Sequence, residues 1–307
     1  MNIVYLVFGN KIENYQQAYF SIFTAQLHKN DDDKIIVITD DSSLFGFFED
    51  KIETIVINQD TIRDWEGPHQ FFWRVKIKAL QLVAQKYPQD SILYLDSDTF
   101  FYKNTAVLRT ALQSGNQFMH LNEGKLSQLS SKTEKLMWKQ MKGKSYGNII
   151  INENVAMWNA GLIGVSQKHF ECLELTLQIN DAMCADGVTR RLIEQFAFSL
   201  GLNQYSELQP ADHIVGHYWG NKKQWNDTIS LFLRECFMKK YHFDAVVERI
   251  KDMELSKIPI RIKESSTQRK LKNLIDKFYT NQRPVYVKKL LFLMIHRFHK
   301  HINFADN

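Results

Sequence analysis

The chain has 307 residues, of which 44% are hydrophobic and 13% aromatic, and it carries a formal net charge of +5. This length suits one large α/β domain with a C-terminal extension or two small domains, and the apolar content excludes a chain that is disordered throughout. The three cysteines (Cys172, Cys184 and Cys236) are an odd number without metal-like spacing, which argues against a disulfide framework and favours reduced thiols in a cytoplasmic protein.

The sequence gives no sign of export or of a membrane span. Its N-terminus lacks a basic region followed by an apolar run long enough for a signal peptide. The longest uninterrupted apolar run covers residues 290–295, whereas a membrane span needs roughly 20 residues. We therefore expect a protein that is soluble in the cytoplasm or peripheral on the inner face of a membrane.

The first hundred residues alternate between short apolar runs, which predict strands, and periodic apolar patterns, which predict helices. The predicted strands cover residues 2–8, 34–39, 53–57 and 91–95, and the predicted helices cover residues 13–29 and 69–87. This alternation predicts an α/β fold with a mainly parallel sheet flanked by helices. Because ligands bind beyond the carboxyl ends of such strands, we expect site residues at positions 8–10, 40–41 and 96–98.

The middle of the chain is less regular. Residues 124–147 are polar and lysine-rich and indicate an insertion or a lid. Beyond them the pattern predicts a strand over residues 155–165, helices over 169–200 with a break near Asp186 and Gly187, and a short strand over 213–219. After Trp225 the pattern is mostly helical to the end of the chain.

The segment ILYLDSDTFF, residues 92–101, carries the strongest chemical signal. Asp96 and Asp98 follow an apolar strand, and if the strand geometry continues, their side chains point the same way. Two adjacent carboxylates repel each other unless a cation neutralises them, and hard divalent cations prefer carboxylate and phosphate oxygens. The alternative is a solvated turn at a strand end, where Asp and Ser are common.

Three further segments can complete such a site. In HYWGNKKQW, residues 217–225, a histidine is followed by a glycine and a lysine, and an imidazole beside two carboxylates suits Mn²⁺. In MWNAGLIGV, residues 157–165, a small polar turn interrupts an apolar strand and suits contact with a ligand. In LIEQFAF, residues 192–198, Glu194 and Gln195 form a polar pair that can face a cleft. The alternatives are a core histidine, a β-bulge without a ligand and an ordinary helix surface.

Together these four segments resemble the motifs of the GT-A fold glycosyltransferases, in particular glycosyltransferase family 8, which includes glycogenin and bacterial lipooligosaccharide galactosyltransferases. That family carries Y-L-D-x-D, N-A-G, D-Q and H-x-x-G-x-x-K-P-W stretches in this order. The corresponding segments here are residues 94–98, 159–161, 194–195 and 217–225. The resemblance spans roughly residues 1–226.

The resemblance implies a hexosyltransferase that moves a sugar from a UDP-sugar to a glycan or lipid-linked acceptor with retention of configuration. Mn²⁺ or Mg²⁺ would be held by Asp96, Asp98 and His217. It also implies a GT-A catalytic domain over residues 1–226, with a nucleotide-binding half over about 1–103 and an acceptor half over about 104–226. A helical extension over residues 227–307 would follow, with a basic amphipathic tail.

The same resemblance implies a role for individual residues. Those expected to bind the donor are Phe8, Asn10 and Tyr15 near the nucleoside base, Arg74 and Ser97 beside the D-x-D strand, Asn159 at the sugar, and Gly220 and Lys223 at the diphosphate. The expected catalytic residues are Asp98, Glu194 and Gln195.

The sequence departs from the family pattern at two positions. Gln224 replaces the proline of K-P-W, and Glu194 replaces the aspartate of D-Q. If Glu194 acts as a general base, the enzyme inverts configuration instead. Two other classes stay open: a sugar-phosphate nucleotidyltransferase, whose glycine-rich loop is represented here by Gly9 alone, and a non-catalytic sugar-binding relative, which would not need to keep three metal ligands.

The C-terminal segment is strongly basic. Residues 257–301 contain eight lysines and four arginines against Glu264 and Asp276, so the rest of the chain is mildly acidic. Within residues 286–300 apolar and cationic side chains recur at helical spacing, which predicts an interfacial helix on an anionic membrane surface. The alternative is a helix packed on the catalytic domain with its basic face in water. No nucleic-acid-reading motif is present in the tail, so we expect no nucleic-acid partner.

Overall fold

The computed structural model of the protein describes residues 1–262. Met1–Arg261 forms one compact unit. The predicted tail helix over residues 286–300 lies outside the described residues, and its membrane role stays a prediction. Within residues 1–262, no helix combines the length and the apolar character that a membrane crossing requires.

Strands and helices alternate through most of the chain. The strands are β1 (Asn2–Val7), β2 (Lys34–Thr39), β3 (Glu53–Val56), β4 (Ile92–Leu95), β5 (Thr99–Phe101), β6 (Gln117–Lys125), β7 (Ser145–Tyr146), β8 (Ile149–Ile150), β9 (Ala156–Val165), β10 (Leu208–Pro210) and β11 (Val215–His217). The α-helices are α1 (Ile12–His28), α2 (Gln59–Glu66), α3 (Arg74–Lys86), α4 (Ala106–Ser114), α5 (Lys132–Met141), α6 (Glu171–Ala185), α7 (Ile193–Asn203), α8 (Lys222–Met238) and α9 (Phe243–Lys251).

Seven strands form the central sheet, in the order β10-β6-β9-β4-β1-β2-β3. β1 pairs in parallel with β2 and β4, β2 pairs in parallel with β3, and β10 pairs in parallel with β6. β9 runs antiparallel to both β4 and β6. The sheet is therefore mixed and mainly parallel, and the predicted α/β class is confirmed. The first four predicted strands agree with β1–β4 to within one residue at each end.

Helices cover both faces of the sheet because consecutive strand side chains point to opposite sides. On β1, Ile3 and Tyr5 pack in the same apolar cluster as Phe20 of α1. Val4 points the other way and packs in a second cluster with Leu80 of α3. Two-sided burial explains why β1 and β2 read as continuous apolar runs in the sequence.

The structure corrects several predicted elements. α3 begins at Arg74 rather than at residue 69, because residues 67–73 form turns that include a left-handed backbone at Gln70, with φ 48°. β9 continues through Asn159–Gly161 without the predicted polar turn, and the irregular pairing lies opposite it, where β6 has two register shifts. The strand expected over residues 213–219 is only Val215–His217. The break near Asp186 is confirmed, since α6 ends at Ala185.

The polar segment over residues 124–147 includes α5, which starts with a capping box between Ser131 and Glu134. Met137 and Met141 of α5 are buried in a third apolar cluster, which also contains Phe196 of α7. This segment is therefore anchored to the domain through the apolar face of α5. The cysteines are free thiols, as expected.

The helices after Trp225 share the core of the N-terminal half. Trp225, Ile229 and Leu233 of α8 belong to the same cluster as Ile3 and Phe20. Helical structure after Trp225 is thus confirmed as far as Lys251. The division at residue 226 between a catalytic domain and an extension stays a prediction.

Candidate functional site

The predicted metal ligands come from three segments that meet at the end of β4. Asp96 and Asp98 lie in the turn between β4 and β5. β5 pairs antiparallel with β11, so that His217 lies opposite Thr99, and Tyr218 N–H donates to the Asp98 backbone oxygen at 3.1 Å. Backbone pairing therefore carries His217 to the carboxylates.

One potential ligand atom from each of Asp96, Asp98 and His217 lies within 4.8 Å of the others. His217 Nε2 lies 3.4 Å from Asp98 Oδ1. Asp98 and His217 are buried, with relative exposures of 4% and 6%. The structure thus brings together all three predicted ligands, and two carboxylates with one imidazole form a donor set that suits Mn²⁺ or Mg²⁺.

Asn159 fixes the orientation of the His217 ring. Its side-chain oxygen accepts the Gly161 backbone N–H at 3.0 Å, and its amide nitrogen donates to Glu123 at 3.1 Å. These two partners determine which end of the amide is oxygen, so the 2.9 Å contact with His217 requires a proton on Nδ1. Nε2 is therefore the ring nitrogen that faces Asp98, and either a proton or a cation on Nε2 attracts the carboxylate.

Gly161 makes room for this histidine. A Cβ atom at position 161 would lie 2.1 Å from His217 Nδ1, far inside van der Waals contact. The Gly161 backbone oxygen also accepts the Asp96 N–H at 2.9 Å, which extends the pairing of β4 with β9. The N-A-G segment therefore positions the metal ligands from the adjacent strand.

Asp98 stays ionised in spite of its burial. Burial alone would raise the pKa of this carboxyl, but the neighbouring His217 and Lys222 outweigh burial and hold that pKa well below its ordinary value. Lys222 Nζ lies 2.8 Å from Asp98 Oδ2, and the lysine side chain is half exposed. A carboxylate that keeps its charge is a competent metal ligand at neutral pH.

A buried lysine, Lys76, contacts the other carboxylate of the site, Asp96. Lys76 Nζ lies 3.0 Å from Asp96 Oδ1 and 2.9 Å from Glu194 Oε1. Burial alone would lower the pKa of Lys76, but these two carboxylates outweigh burial and raise it, so the ammonium stays charged. Tyr94 OH donates to the same Asp96 oxygen at 3.0 Å. Both contacts hold Asp96 in place through the same oxygen, Oδ1.

A cavity of about 610 Å³ opens beside the carboxylates. Its lining includes Phe8, Gly9, Asn10, Lys11, Phe72, Trp73, Lys76, Asp96, Ser97, Asp98 and Lys222. It therefore lies beyond the carboxyl ends of β1 and β4, where the strand pattern predicted a ligand site. Among the predicted donor-binding residues, Phe8, Asn10 and Ser97 line this cavity.

The turn after β1 is clamped by Asp40 at the end of β2. Gly9 N–H donates to the Asp40 carboxylate at 3.1 Å, and Tyr15 OH donates to the Gly9 backbone oxygen at 2.9 Å. Gly9 has φ 89°, a conformation that glycine adopts without a steric penalty. Tyr15 therefore shapes the turn that faces the cavity, and its predicted contact with a base stays a prediction.

Other predicted residues lie outside the cavity lining. Arg74 forms a bidentate ion pair with Asp181, with nitrogen–oxygen distances of 2.8 and 3.0 Å, and its guanidinium packs over Gly67. Gly220 packs against Arg261. Gln195 donates to Glu123 at 3.0 Å. Lys222 lies beside Asp98, and the diphosphate contact that the resemblance implies for Lys223 stays a prediction.

Glu194 is buried rather than surface-exposed, with a relative exposure of 7%. Its carboxylate faces Lys76 and does not line the cavity. Neither Glu194 nor Gln195 lines the cavity, so their predicted catalytic roles stay predictions.

Sequence reasoning did not identify Lys76, Lys222 or Glu123. Lys76 had a usable signal, because it lies four residues before Leu80 on the apolar stripe of α3, and a lysine at such a position requires a buried acidic partner. Glu123 lies on β6, a strand that the sequence pattern did not predict.

No protein-family model matches the chain, and no curated protein matches it in sequence.

Proposed function

We propose that the protein is a GT-A fold glycosyltransferase that transfers a sugar from a UDP-sugar to a glycan or lipid-linked acceptor and depends on a divalent cation. The observation that carries this proposal is the convergence of Asp96, Asp98 and His217 Nε2 beside a cavity of about 610 Å³. The motif resemblance in the sequence supports the same reaction.

In this proposal Asp96, Asp98 and His217 hold Mn²⁺ or Mg²⁺, which stabilises the negative charge that develops on the leaving diphosphate. Lys222 is close enough to add a second positive charge there, since its ammonium already lies at Asp98. The turn at Phe8–Asn10 receives the nucleoside, and Asp40 and Tyr15 hold that turn in place. Lys76 holds the Asp96 carboxylate in place through their ion pair.

The arrangement favours retention of anomeric configuration. An inverting reaction would need a general base that reaches the acceptor hydroxyl. Glu194, the candidate for that base, is buried against Lys76 and does not face the cavity. In the described part of the chain the cavity carboxylates are Asp96 and Asp98, both assigned to the cation. We therefore propose a same-face attack guided by the leaving phosphate.

Thermal shift and calorimetry with nucleotides test the donor class. UDP with Mn²⁺ should stabilise the protein by about 2.7 kcal/mol at a hundredfold excess over Kd, because a ligand that binds only the native state shifts the folding equilibrium. UDP alone should have a much smaller effect, since two phosphates would face two carboxylates. The absence of any shift or heat with UDP and Mn²⁺ would show that the donor class is wrong.

A screen of nucleotide-sugars for Mn²⁺-dependent hydrolysis then tests the activity. We expect one donor to be hydrolysed by the wild type and none by Asp98→Asn. Activity that persists in excess chelator would contradict the metal-dependent mechanism.

Co-sedimentation with anionic vesicles tests the predicted membrane role of the C-terminal tail. It compares the full chain with one ending at Ser256, and equal recovery of both in the supernatant would refute that role.

A further inference from the structure

Two aromatic side chains, Phe72 and Trp73, stand in the wall of the cavity with 47% of their surface exposed in each case. Their ring centroids are 5.0 Å apart and the ring planes are nearly perpendicular, at 85°. The Phe72 ring also contacts the Phe8 ring, with centroids 5.4 Å apart. We call Phe72 and Trp73 the aromatic corner. Adjacent large rings that stay exposed at a cavity indicate a surface that binds something apolar.

The chain on both sides of the aromatic corner is rigidly held. Arg74, the next residue, is bound by both oxygens of Asp181 and donates to the Trp65 backbone oxygen at 2.8 Å. Arg190 donates to the Gln70 backbone oxygen at 2.7 Å, and Gln70 itself has φ 48°. A left-handed backbone at a residue other than glycine costs free energy and persists only where the surroundings hold it. The two guanidinium groups thus fix the position of the aromatic corner.

Trp73 lines the same cavity as Asp96 and Asp98. It has α-helical backbone angles and immediately precedes α3, so its side chain and that of Lys76, three residues later, share one face of the first turn. The Lys76 ammonium lies 3.0 Å from Asp96. Phe72, in contrast, contacts Phe8 at the end of β1, where the nucleoside is expected. Trp73 therefore belongs to the cavity wall that the candidate metal ligands Asp96 and Asp98 share, one helical turn before Lys76.

We propose that Trp73, rather than the whole aromatic corner, forms the acceptor subsite and that an acceptor sugar ring stacks on its indole. This inference rests on the proposed glycosyl transfer, because that reaction requires an acceptor sugar beside the diphosphate. One face of a pyranose consists of C–H groups that pack on an aromatic ring, while the hydroxyl groups stay free to react. Tryptophan provides a large, rigid face for such a contact at low cost in side-chain entropy.

Saturation-transfer difference NMR tests this subsite without knowledge of the natural acceptor. The probes are the methyl β-glycosides of glucose, galactose and N-acetylglucosamine, each added with UDP and Mg²⁺. We expect at least one glycoside to show saturation of the protons on its C–H face with the wild type. Trp73→Ala should reduce that signal at least fivefold, and Trp73→Phe should retain part of it because a ring remains. Phe237→Ala removes an aromatic side chain of similar exposure on α8, away from the cavity, and should leave the signal unchanged.

Calorimetry with UDP and Mg²⁺ on the same variants separates this inference from the proposed function. Trp73→Ala should bind UDP with less than a twofold change in Kd. A large loss of UDP affinity in Trp73→Ala would assign the ring to the donor and overturn the acceptor subsite. Equal glycoside signals for wild type and Trp73→Ala, or no signal with any glycoside, would also overturn it. Glycoside binding by a wild type that does not bind UDP would instead contradict the proposed donor.

Discussion

The side-chain oxygen of Asn159 accepts a hydrogen bond from His217 Nδ1 at 2.9 Å, and this contact determines which ring nitrogen faces the carboxylates. The orientation of the Asn159 amide is itself fixed by Gly161 on one side and Glu123 on the other. Partners of this kind orient metal-binding histidines and raise metal affinity. The resemblance placed Asn159 at the donor or acceptor sugar, whereas its contacts in the structure position the histidine.

Asn159→Ala should therefore weaken Mn²⁺ binding by about 10- to 100-fold, because His217 loses the group that holds its tautomer and ring orientation. Calorimetric titration of Mn²⁺ in the presence of UDP measures the change. Asn154→Ala, which alters an exposed asparagine on the turn before β9, is the matched control and should leave Mn²⁺ affinity within twofold. Equal affinities for wild type and Asn159→Ala would mean that His217 does not depend on this contact.

Lys222 and Lys223 offer a comparison of two adjacent lysines. Lys222 lines the cavity and pairs with Asp98, so Lys222→Ala should raise the Kd for UDP with Mn²⁺ about tenfold, the size of one charge-assisted contact. Lys223→Ala should change that Kd much less. If the Lys223 variant is the more impaired, the register predicted from the H-x-x-G-x-x-K pattern is correct and the cavity contact of Lys222 is not used.

Lys76→Met should lower the free energy of unfolding by about 3 kcal/mol, because Asp96 and Glu194 are then left without their shared cation. Lys78→Met, two residues further along α3, should cost less than about 0.5 kcal/mol. The double variant Lys76→Met/Glu194→Gln should recover part of the loss, since it removes one of the uncompensated charges. Urea denaturation of the three variants measures these differences, and an unchanged stability in Lys76→Met would contradict the buried network.

His120 gives the protein a pH-dependent stability. Burial lowers the pKa of His120 to about 4, with a further contribution from His217, while the unfolded chain keeps the ordinary value of 6.5. Between these values the unfolded state binds a proton that the folded state does not, so stability falls as pH falls through this window. From pH 7.5 to pH 5 the loss attributable to His120 should be about 2 kcal/mol.

Replacement of this histidine isolates its effect from that of other titrating groups. In His120→Gln the fall in unfolding free energy between pH 7.5 and pH 5 should be smaller than in the wild type by that amount. His213→Gln, at an exposed position, serves as the control and should follow the wild type. Identical pH dependence of His120→Gln and wild type would show that His120 is not held neutral in the folded protein.

Much of the nucleotide-binding half could be predicted because its strands are buried on both faces. β1, β2 and β4 are apolar runs that end where the side chains turn polar, and the end of β4 located Asp96 and Asp98. β6 could not be predicted in the same way. Its first four residues are buried and the rest are exposed or half-buried, and its pairing with β9 contains two register shifts, so the sequence shows neither a clean run nor clean alternation.

Side-chain partners across the fold were the least predictable part of the site. Arg74 and Lys76 are two residues apart on α3, and only the register of the helix decides that Lys76 reaches Asp96 while Arg74 reaches Asp181. The predicted helix began five residues too early, so that register was not available. Likewise, the choice between Lys222 and Lys223 depends on where α8 begins.

Electron paramagnetic resonance of Mn²⁺ counts free and bound ions and so tests the metal site itself. With UDP present, the wild type should bind one Mn²⁺ per chain. Asp98→Asn, with an unchanged circular dichroism spectrum, should bind Mn²⁺ at least 100-fold more weakly. The absence of bound Mn²⁺ in the wild type, or an equal affinity in Asp98→Asn, would contradict the assignment of Asp96, Asp98 and His217 as a metal site.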